Sequence, residues 1–479
     1  MSIVISVDIG TTTITSLALD AAQGTILARQ TEQNAAEITS AADRARGRSE
    51  WDADAMIAQA AGCIRRVTEQ LGQQAEKCLG IGITGQQHGT VLVDRDLRPL
   101  TPFIGWQDRR GDEPCPGSSG SFTDEARRLA GDDAPGRTGC RLATGYQATT
   151  LFWLRQHELL RSQATACFIA DLFGARLTAK RPVTDPTNGA SSGVLNVAAR
   201  QWDVSSIERL GLPHAMFPEV REAGEALGEL TRGASEMLGL LAGTRVFVAL
   251  GDHQASFVGS VHDRLGTVLV NVGTGGQVAA FTEGFAYAPP LETRPYPKAG
   301  NLLVNAGLCG GRSYAVLERF FADAVQQFAG ARPSAPLYEA MNLLAASVPR
   351  GADGLDCVPL FTGTRAEPHL RASWTGASPE NFTPAHLVRS VLEGMGDVFR
   401  AGYERIRMAT AAKFKSIVGS GNALRDNALL AHIIAEEFGL PLTFPRHCEE
   451  AAVGATLVAA VGAGAYPTLE TAGRLVTSS

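Results

Sequence analysis

The chain writes one short phrase twice. Val7-Asp8-Ile9-Gly10-Thr11 lines up on Val270-Asn271-Val272-Gly273-Thr274. Each copy closes an apolar, β-branched run, turns on glycine and threonine, and leads into a second apolar run: VDIGTTTITSLAL at 7–19 and VNVGTGGQVAAF at 270–281. Both read as strand, tight turn, strand. The spacing around them repeats as well. SIVISVDIG (2–10) and CLGIGITG (78–85) predict strands in the first half, with helical periodicity over 51–71 and 149–160. In the second half, TRVFVALGD (244–252) and the two runs around Gly273 predict strands. A long helix is predicted over 383–406, with Thr383 as N-cap and Pro384 in its first turn, and strand, glycine turn and helix over 414–439. Residues 111–139, rich in Gly, Pro, Ser and Asp, read as loop. Alternating strands and helices in both halves predict an α/β fold of two similar domains, 1–248 and 249–479.

Composition narrows the function classes. The chain has 479 residues, 44% hydrophobic and 19% charged, with a net charge of −6. That describes a globular protein with large cores and gives no reason to expect nucleic acid or an anionic membrane as partner. Eight cysteines form no C-x-x-C pair, so the expected state is buried, reduced thiols in a cytoplasmic protein. The first Arg or Lys is Arg29, against a secretory leader. The uncharged stretch Ala451–Leu469 is broken by glycines and Pro467 and reads as a packed interior helix rather than a membrane span. A monomer or homodimer is expected.

A turn such as Gly10-Thr11-Thr12-Thr13 gathers backbone N–H groups and hydroxyls into a concavity suited to phosphate oxygens. Asp8 would repel a phosphate directly and makes sense with Mg²⁺ between them. Two such hairpins, one per domain, could hold a nucleoside triphosphate from both sides of a cleft; ordinary hairpins with small turn residues are the alternative. No G-x-x-x-x-G-K-[ST] occurs, and GSGNAL (419–424) lacks the third glycine of a dinucleotide site. Three further stretches carry polar groups suited to a cleft. GQQHG (85–89) offers Gln87 and His88, or a polar surface loop. WQDRR (106–110) offers Trp106 and Asp108 for a polyol, or a charged turn after a buried Trp. VALGDHQAS (248–256) presents Asp252 as a general base at a domain mouth, or as the N-cap of a helix.

Together, VDIGTTT, GQQHG, WQDRR, TDPTNGASSGVLN, ALGDHQAS, NVGTGG, FTGTRAEPHL and GSGNALRDN resemble the FGGY carbohydrate kinases, in the right order over nearly the whole chain. The resemblance implies two ribonuclease-H-like domains of the actin-like ATPase superfamily with a central cleft, and ATP with Mg²⁺ as cofactors. It implies Asp252 as catalytic base, and Gln87, His88, Trp106 and Asp108 lining a sugar site that Asp252 also borders. It implies Asp8 toward Mg²⁺; Gly10, Thr11, Thr12, Thr13, Gly273 and Thr274 on ATP phosphates; and Gly311, Gly421, Asn422 and Arg425 along the ribose and base. The implied acceptor is a primary hydroxyl of a ketose. WQD-R, ATGYQATTLFWL (143–154) and VALGDHQAS are nearest the pattern of members acting on sedoheptulose, with xylulose next. Gln87 stands where the family usually has Met, Arg109 where glycine is expected, and His253 where other residues are commoner; all three touch the sugar pocket. An actin- or Hsp70-like ATP-driven binding protein would share the fold without needing GQQHG, WQD and Asp252. A sugar-binding pseudokinase would not need the intact Asp8, Asp252 and both turns.

Overall fold

The protein is described by a computed structural model covering residues 2–476 apart from Ser162, Arg365, Ala366 and Pro368, so part of the FTGTRAEPHL motif lies outside the described residues. The first sheet is built on β1 (Ile3–Ile9), β2 (Thr13–Asp20), β3 (Thr25–Gln33), β4 (Cys78–Gly85), β5 (Ala226–Glu229) and β6 (Arg245–Phe247), in the order β5-β6-β4-β1-β2-β3. The second contains β7 (Thr267–Val272), β8 (Gly276–Thr282), β9 (Glu292–Pro295), β10 (Asn301–Leu308), β11 (Ser416–Ser420) and β12 (Leu442–Thr443), in the order β9-β10-β8-β7-β11-β12.

The duplicated phrase occupies the same place in both. β1 pairs antiparallel with β2 and parallel with β4; β7 pairs antiparallel with β8 and parallel with β11. Register carries the equivalence to the turns, where Ile9 faces Ile14 and Val272 faces Gly276. The protein is thus a two-domain α/β molecule, each lobe a mixed sheet flanked by helices, as the resemblance implies.

The lobes are joined through a shared core. The helices Asp252–Val258 and Glu450–Gly462 lie with apolar side chains of both sheets around them: Leu17 and Leu19 from the first, Leu269, Phe281 and Val304 from the second, with Phe257, Val453 and Leu457 from the helices. The uncharged run beginning at Ala451 is therefore an interior helix. Its polar atoms reach the first sheet directly: Ser6 Oγ donates to the Ala452 carbonyl at 2.7 Å, and Thr456 Oγ1 to Ser6 Oγ at 2.8 Å. Leu250–Gly251 pairs with β4 in the first sheet, beyond residue 248, so the chain passes between lobes at a strand end and returns with its final helices.

Local signals account for most elements. The helix Pro384–Thr410 starts where Thr383 accepts from the His386 amide. Ala53–Leu71 starts on Asp52, which accepts from Ala55 N, and buries Met56, Ile57, Ala60, Ile64, Val67 and Leu71 at helical spacing. The loop reading of 111–139 is corrected: Phe122–Ala130 is a helix. Ser121 and Asp124 form a reciprocal capping box, and Phe122, Ala126 and Ala130 give one buried stripe. All eight cysteines are free; Cys448 is exposed, Cys78 half-buried and the rest buried. Among the described residues no helix is long and apolar enough to cross a membrane.

The two central helices touch backbone to backbone. A Cβ on Gly454 would lie 1.8 Å from the Ala255 carbonyl oxygen, and one on Gly259 would lie 1.9 Å from that of Glu450. Gly454→Ala should therefore destabilise the protein by about 1–3 kcal/mol, the range of an overpacked core. Gly233→Ala, whose new methyl would meet nothing within 4 Å, should stay near wild type. Urea unfolding of the two variants checks this; equal midpoints would refute it.

Candidate active site

The two hairpin turns differ in crowding: a Cβ on Gly273 would meet nothing nearer than Asn271 Oδ1 at 4.0 Å, whereas the first turn is tight. A Cβ on Gly10 would sit 2.7 Å from the Thr13 carbonyl oxygen, to which Gly10 N already donates at 3.1 Å. Asn34 braces the turn from outside: its Nδ2 donates to Gly10 O at 2.9 Å and its backbone N to Thr12 O at 2.8 Å. Thr12 and Thr13 are exposed and Thr11 half-buried. In the second turn Gly273 N donates to Gly275 O at 3.0 Å. The helix Gly311–Ala329 begins directly on it: Gly311 N donates to Gly273 O at 2.8 Å and Arg312 N to Thr274 O at 3.0 Å. Gly421 closes on the same turn with φ +84°, where a Cβ would meet the Val272 carbonyl oxygen at 2.5 Å. Asn422 opens the short helix that follows and is exposed.

Beside this turn is a cavity of about 230 Å³ lined by Gly311, Tyr314, Tyr338, Asn342, Ala423 and Asn427, among others. Tyr314 and Tyr338 stack with ring centroids 5.8 Å apart, and the Asn342 carbonyl oxygen accepts from Tyr314 OH at 2.6 Å and from Asn427 Nδ2 at 3.0 Å. Aromatic faces with fixed amides suit a planar, polar-edged ring. Tyr314, Tyr338 and Asn342 carry no sequence motif and were not anticipated. A cavity of about 300 Å³ around Arg350, Arg389 and Glu437 lies elsewhere in the second lobe and contains none of the anticipated residues. Arg425, implied for the ribose and base, has its guanidinium engaged within the protein. Its guanidinium donates to Glu450 at 2.9 Å and to the His447 carbonyl at 3.1 Å, because Glu450, at the start of the interior helix, offers it a carboxylate.

Asp8 and Asp252 meet at the cleft. Asp8 stands on β1 two residues before Gly10; Asp252 is the first residue of its helix, with Gly251 in the cap position. The cap expectation is thus shifted by one residue, and Asp252 Oδ1 accepts from His253 N at 2.7 Å. Burial, with the charges of Asp252 and Glu449 adding to it, pushes the Asp8 carboxyl up to about 8. Burial pushes Asp252 up to about 6, against the pull of the His253 amide and the positive Arg294. Asp8 Oδ1 is buried with no hydrogen-bond partner. Crowded carboxylates with an orphaned oxygen fit a Mg²⁺ ion, which needs only one or two carboxylates besides phosphate and water. Among the described residues no three His, Cys, Asp or Glu gather as a metal cage.

Gln87 and His88 follow β4 into the same space. Gln87 is buried, and its Nε2 donates to the Thr187 carbonyl at 2.8 Å, leaving Oε1 as acceptor. His88 has φ 71°; its amide donates to Ser191 Oγ at 3.0 Å, and its Nδ1 lies 2.8 Å from the Ser191 carbonyl. A carbonyl only accepts, so Nδ1 carries the proton and a neutral ring has Nε2 as its acceptor. Its ring stacks on Tyr146 at 4.3 Å. Trp106 is 43% exposed, and its Nε1 donates to Thr11 Oγ1 at 2.9 Å, while Thr11 Oγ1 donates to Gln86 Oε1 at 3.1 Å. The indole therefore ties the WQDRR segment to the first turn and to Gln86. Asp108 does not open to the cleft as expected. It is fully buried: Oδ1 accepts from Arg110 N and Nε, and Oδ2 from Ser49 N and an Arg110 terminal nitrogen. Arg110, two residues along the same motif, has consumed it.

The second lobe reaches across to this group through β9. Tyr146 OH donates to Glu292 Oε1 at 3.0 Å, and Arg294 pairs with Glu292 and donates to Tyr146 OH at 3.3 Å. Thr293 N donates to Gly139 O at 2.8 Å, Arg200 to Tyr296 O at 3.0 Å, and Lys298 N to Glu222 Oε2 at 3.1 Å. Gly139, at φ +72°, permits the approach: a Cβ there would be 2.2 Å from Thr293 O.

Two family models match in chain order: the N-terminal domain of the FGGY family of carbohydrate kinases over 3–259, and its C-terminal domain over 272–463. The chain belongs to the FGGY family of carbohydrate kinases. It is 28% identical to mouse (Mus musculus) sedoheptulokinase over 488 residues, covering 95% of this chain and 97% of the relative. It is 31% identical to glycerol kinase of Thermus brockianus over 436 residues, covering 87% and 81%. A crystal structure of ligand-bound xylulose kinase from Lactobacillus acidophilus superposes with a TM-score of 0.86 over 100% of this chain and 93% of that one at 21% identity, which bears on the fold alone. As an FGGY member the protein is an ATP-dependent kinase acting on a hydroxyl of a sugar or polyol.

The carboxylates carry a pH signature. Their unfolded reference is 3.8, below the folded values of about 8 for Asp8 and about 6 for Asp252. Between these values the folded protein binds more protons than the unfolded chain, so the stability of the ligand-free protein falls as pH rises through that window. Asp8→Asn should flatten the fall and raise the melting temperature at about pH 8 by a few degrees. Thermal melts of the ligand-free pair across pH check this; parallel curves would refute it.

Proposed function

We propose that this kinase transfers the γ-phosphoryl group of ATP to a primary hydroxyl of a ketose, with sedoheptulose first and D-xylulose second. The observation that carries the reading is Asp252. It is a carboxylate held by His253 N–H on the helix that links the lobes, beside Asp8 and beyond the turn from Gln87. A carboxyl raised to about 6 is ionised near neutrality yet more basic than an ordinary aspartate, which suits a general base. Near-full-length similarity to a sedoheptulokinase supports the sugar.

In this reading the acceptor lies against Trp106, with Gln87 Oε1 and His88 Nε2 taking its hydroxyl protons. Asp252 orients the attacking hydroxyl and accepts its proton. The turns at Gly10 to Thr13 and Gly273-Thr274 hold the phosphates, Gly311, Gly421 and Asn422 line the ribose, and the tyrosine-walled cavity receives the base. Asp8 would be the protein-side anchor of a Mg²⁺ ion, which would supply neutralisation of the phosphate charge. Phosphoryl transfer asks mainly for such positioning and charge neutralisation. The 31% identity to a glycerol kinase favours a second reading, a shorter polyol as acceptor.

ADP release with Mg-ATP over a panel of sedoheptulose, D-xylulose, gluconate and glycerol should be stimulated most by sedoheptulose. Preference for glycerol would favour the second reading, and no stimulation by any would sink both. Asp252→Asn should lower kcat about 10²–10⁴-fold with little change in the ATP KM. Its melting temperature should hold or rise, since the amide removes a buried charge. Near-normal turnover would exclude Asp252 as the base.

A further inference from the structure

The motif TDPTNGASSG forms an interior element with no role assigned above. Asp185 caps the short helix Pro186–Ser191, all six residues of which are buried. Thr187, Asn188 and Ser191 have no exposed surface. Buried hydroxyls are costly unless their bonds are made. Thr187 and Ser191 make theirs to the residues read as the acceptor site. Thr187 Oγ1 donates to Asp185 Oδ1 at 2.9 Å and accepts the Gly251 amide at 2.8 Å. The Thr187 carbonyl accepts Gln87 Nε2 at 2.8 Å. Ser191 Oγ donates to Asn188 O at 2.7 Å and accepts the His88 amide at 3.0 Å, while the Ser191 carbonyl lies 2.8 Å from His88 Nδ1.

We infer that this buried turn of helix is the template on which the acceptor site is set, with Thr187 and Ser191 as its positioning residues. The inference rests on the reading of Asp252, Gln87 and His88 given above. Thr187 has one proton, directed to Asp185, so its lone pair faces the Gly251 amide. That bond fixes the residue before Asp252. Its carbonyl fixes Gln87 at the same point, and the two fit together only because residue 251 is glycine: a Cβ there would lie 2.1 Å from Gln87 Nε2. Ser191 performs the matching task for His88, a non-glycine residue held at φ 71°. Such a conformation persists when its surroundings over-determine it, and Ser191 binds it at two atoms. One small element thereby places the base, an amide and an imidazole without touching the substrate.

The test uses the full-length protein with Mg-ATP and either sedoheptulose or D-xylulose. Thr187→Val keeps the shape and removes the hydroxyl; it should lower kcat about 10²-fold and raise the sugar KM, since small misplacements at a reacting centre cost about that much. The ATP KM should stay within about twofold. Thr187→Ser should recover most of the loss. Should the valine variant not fold, Ser191→Ala carries the test: its sugar KM should rise about tenfold with the ATP KM unchanged. An unchanged sugar KM there, or equal rises in both KM values, overturns the inference. Amide hydrogen exchange at Gly251 gives a reading independent of turnover: slow in wild type and Thr187→Ser, faster in Thr187→Val. Slow exchange retained in Thr187→Val overturns the template. A wild-type protein inert toward both sugars, with Gly251 exchange still governed by Thr187, overturns the ketose reading and leaves the template standing.

Discussion

The contact between Gly259 and Gly454 is what the rest of the molecule depends on. Two helices meet there with backbone against backbone, and each begins at a carboxylate: Asp252 at one start, Glu450 at the other. Were either glycine a larger residue, the helices would separate by the width of a methyl group or more. The first sheet, which holds Glu450–Gly462 through Ser6, and the second sheet, which packs on its other side, would then lose their common spacer. Close packing thus fixes the spacing of the two sheets, while Asp252 is placed beside Asp8 within the first sheet, since Leu250–Gly251 pairs with β4 and β4 with β1.

Electrostatics adds a second constraint at the same place. Asp8, Asp252 and Glu449 share one region, and burial raises the cost of keeping Asp8 and Asp252 ionised. The arrangement is poor for stability and suited to binding a cation with its phosphates.

The duplicated hairpins were legible because their grammar is local: β-branched runs, a glycine, small polar residues. The same holds for the helix starts at Asp52 and Thr383, whose capping side chains stand three residues before the amides they accept. What escaped were partners set by the fold. Tyr146 meets Glu292 and Arg294 across the lobes, and nothing in a Tyr, a Glu or an Arg announces a neighbour so distant in sequence. Asp108 and Arg425 were the right residue types in family positions, yet Arg110 and Glu450 engage them. For Asp108 the signal was in plain view, since Arg110 lies two residues away. The helix Phe122–Ala130 was hidden by the density of Gly, Pro and Ser around it, although the spacing of Ser121 and Asp124 marks a helix start.

The contacts of β9 and the residues just after it with the first lobe, at Gly139, Tyr146, Arg200 and Glu222, have a mechanical meaning. Together with the shared core around the two central helices, this row of bonds ties the lobes at a second place, along one edge of the second sheet. In the second sheet β9 is the outermost strand, and the Gly273 and Gly421 turns stand on strands three and four places further in. The bonds between the lobes along β9 therefore lie at the far edge of the second sheet from its two glycine turns.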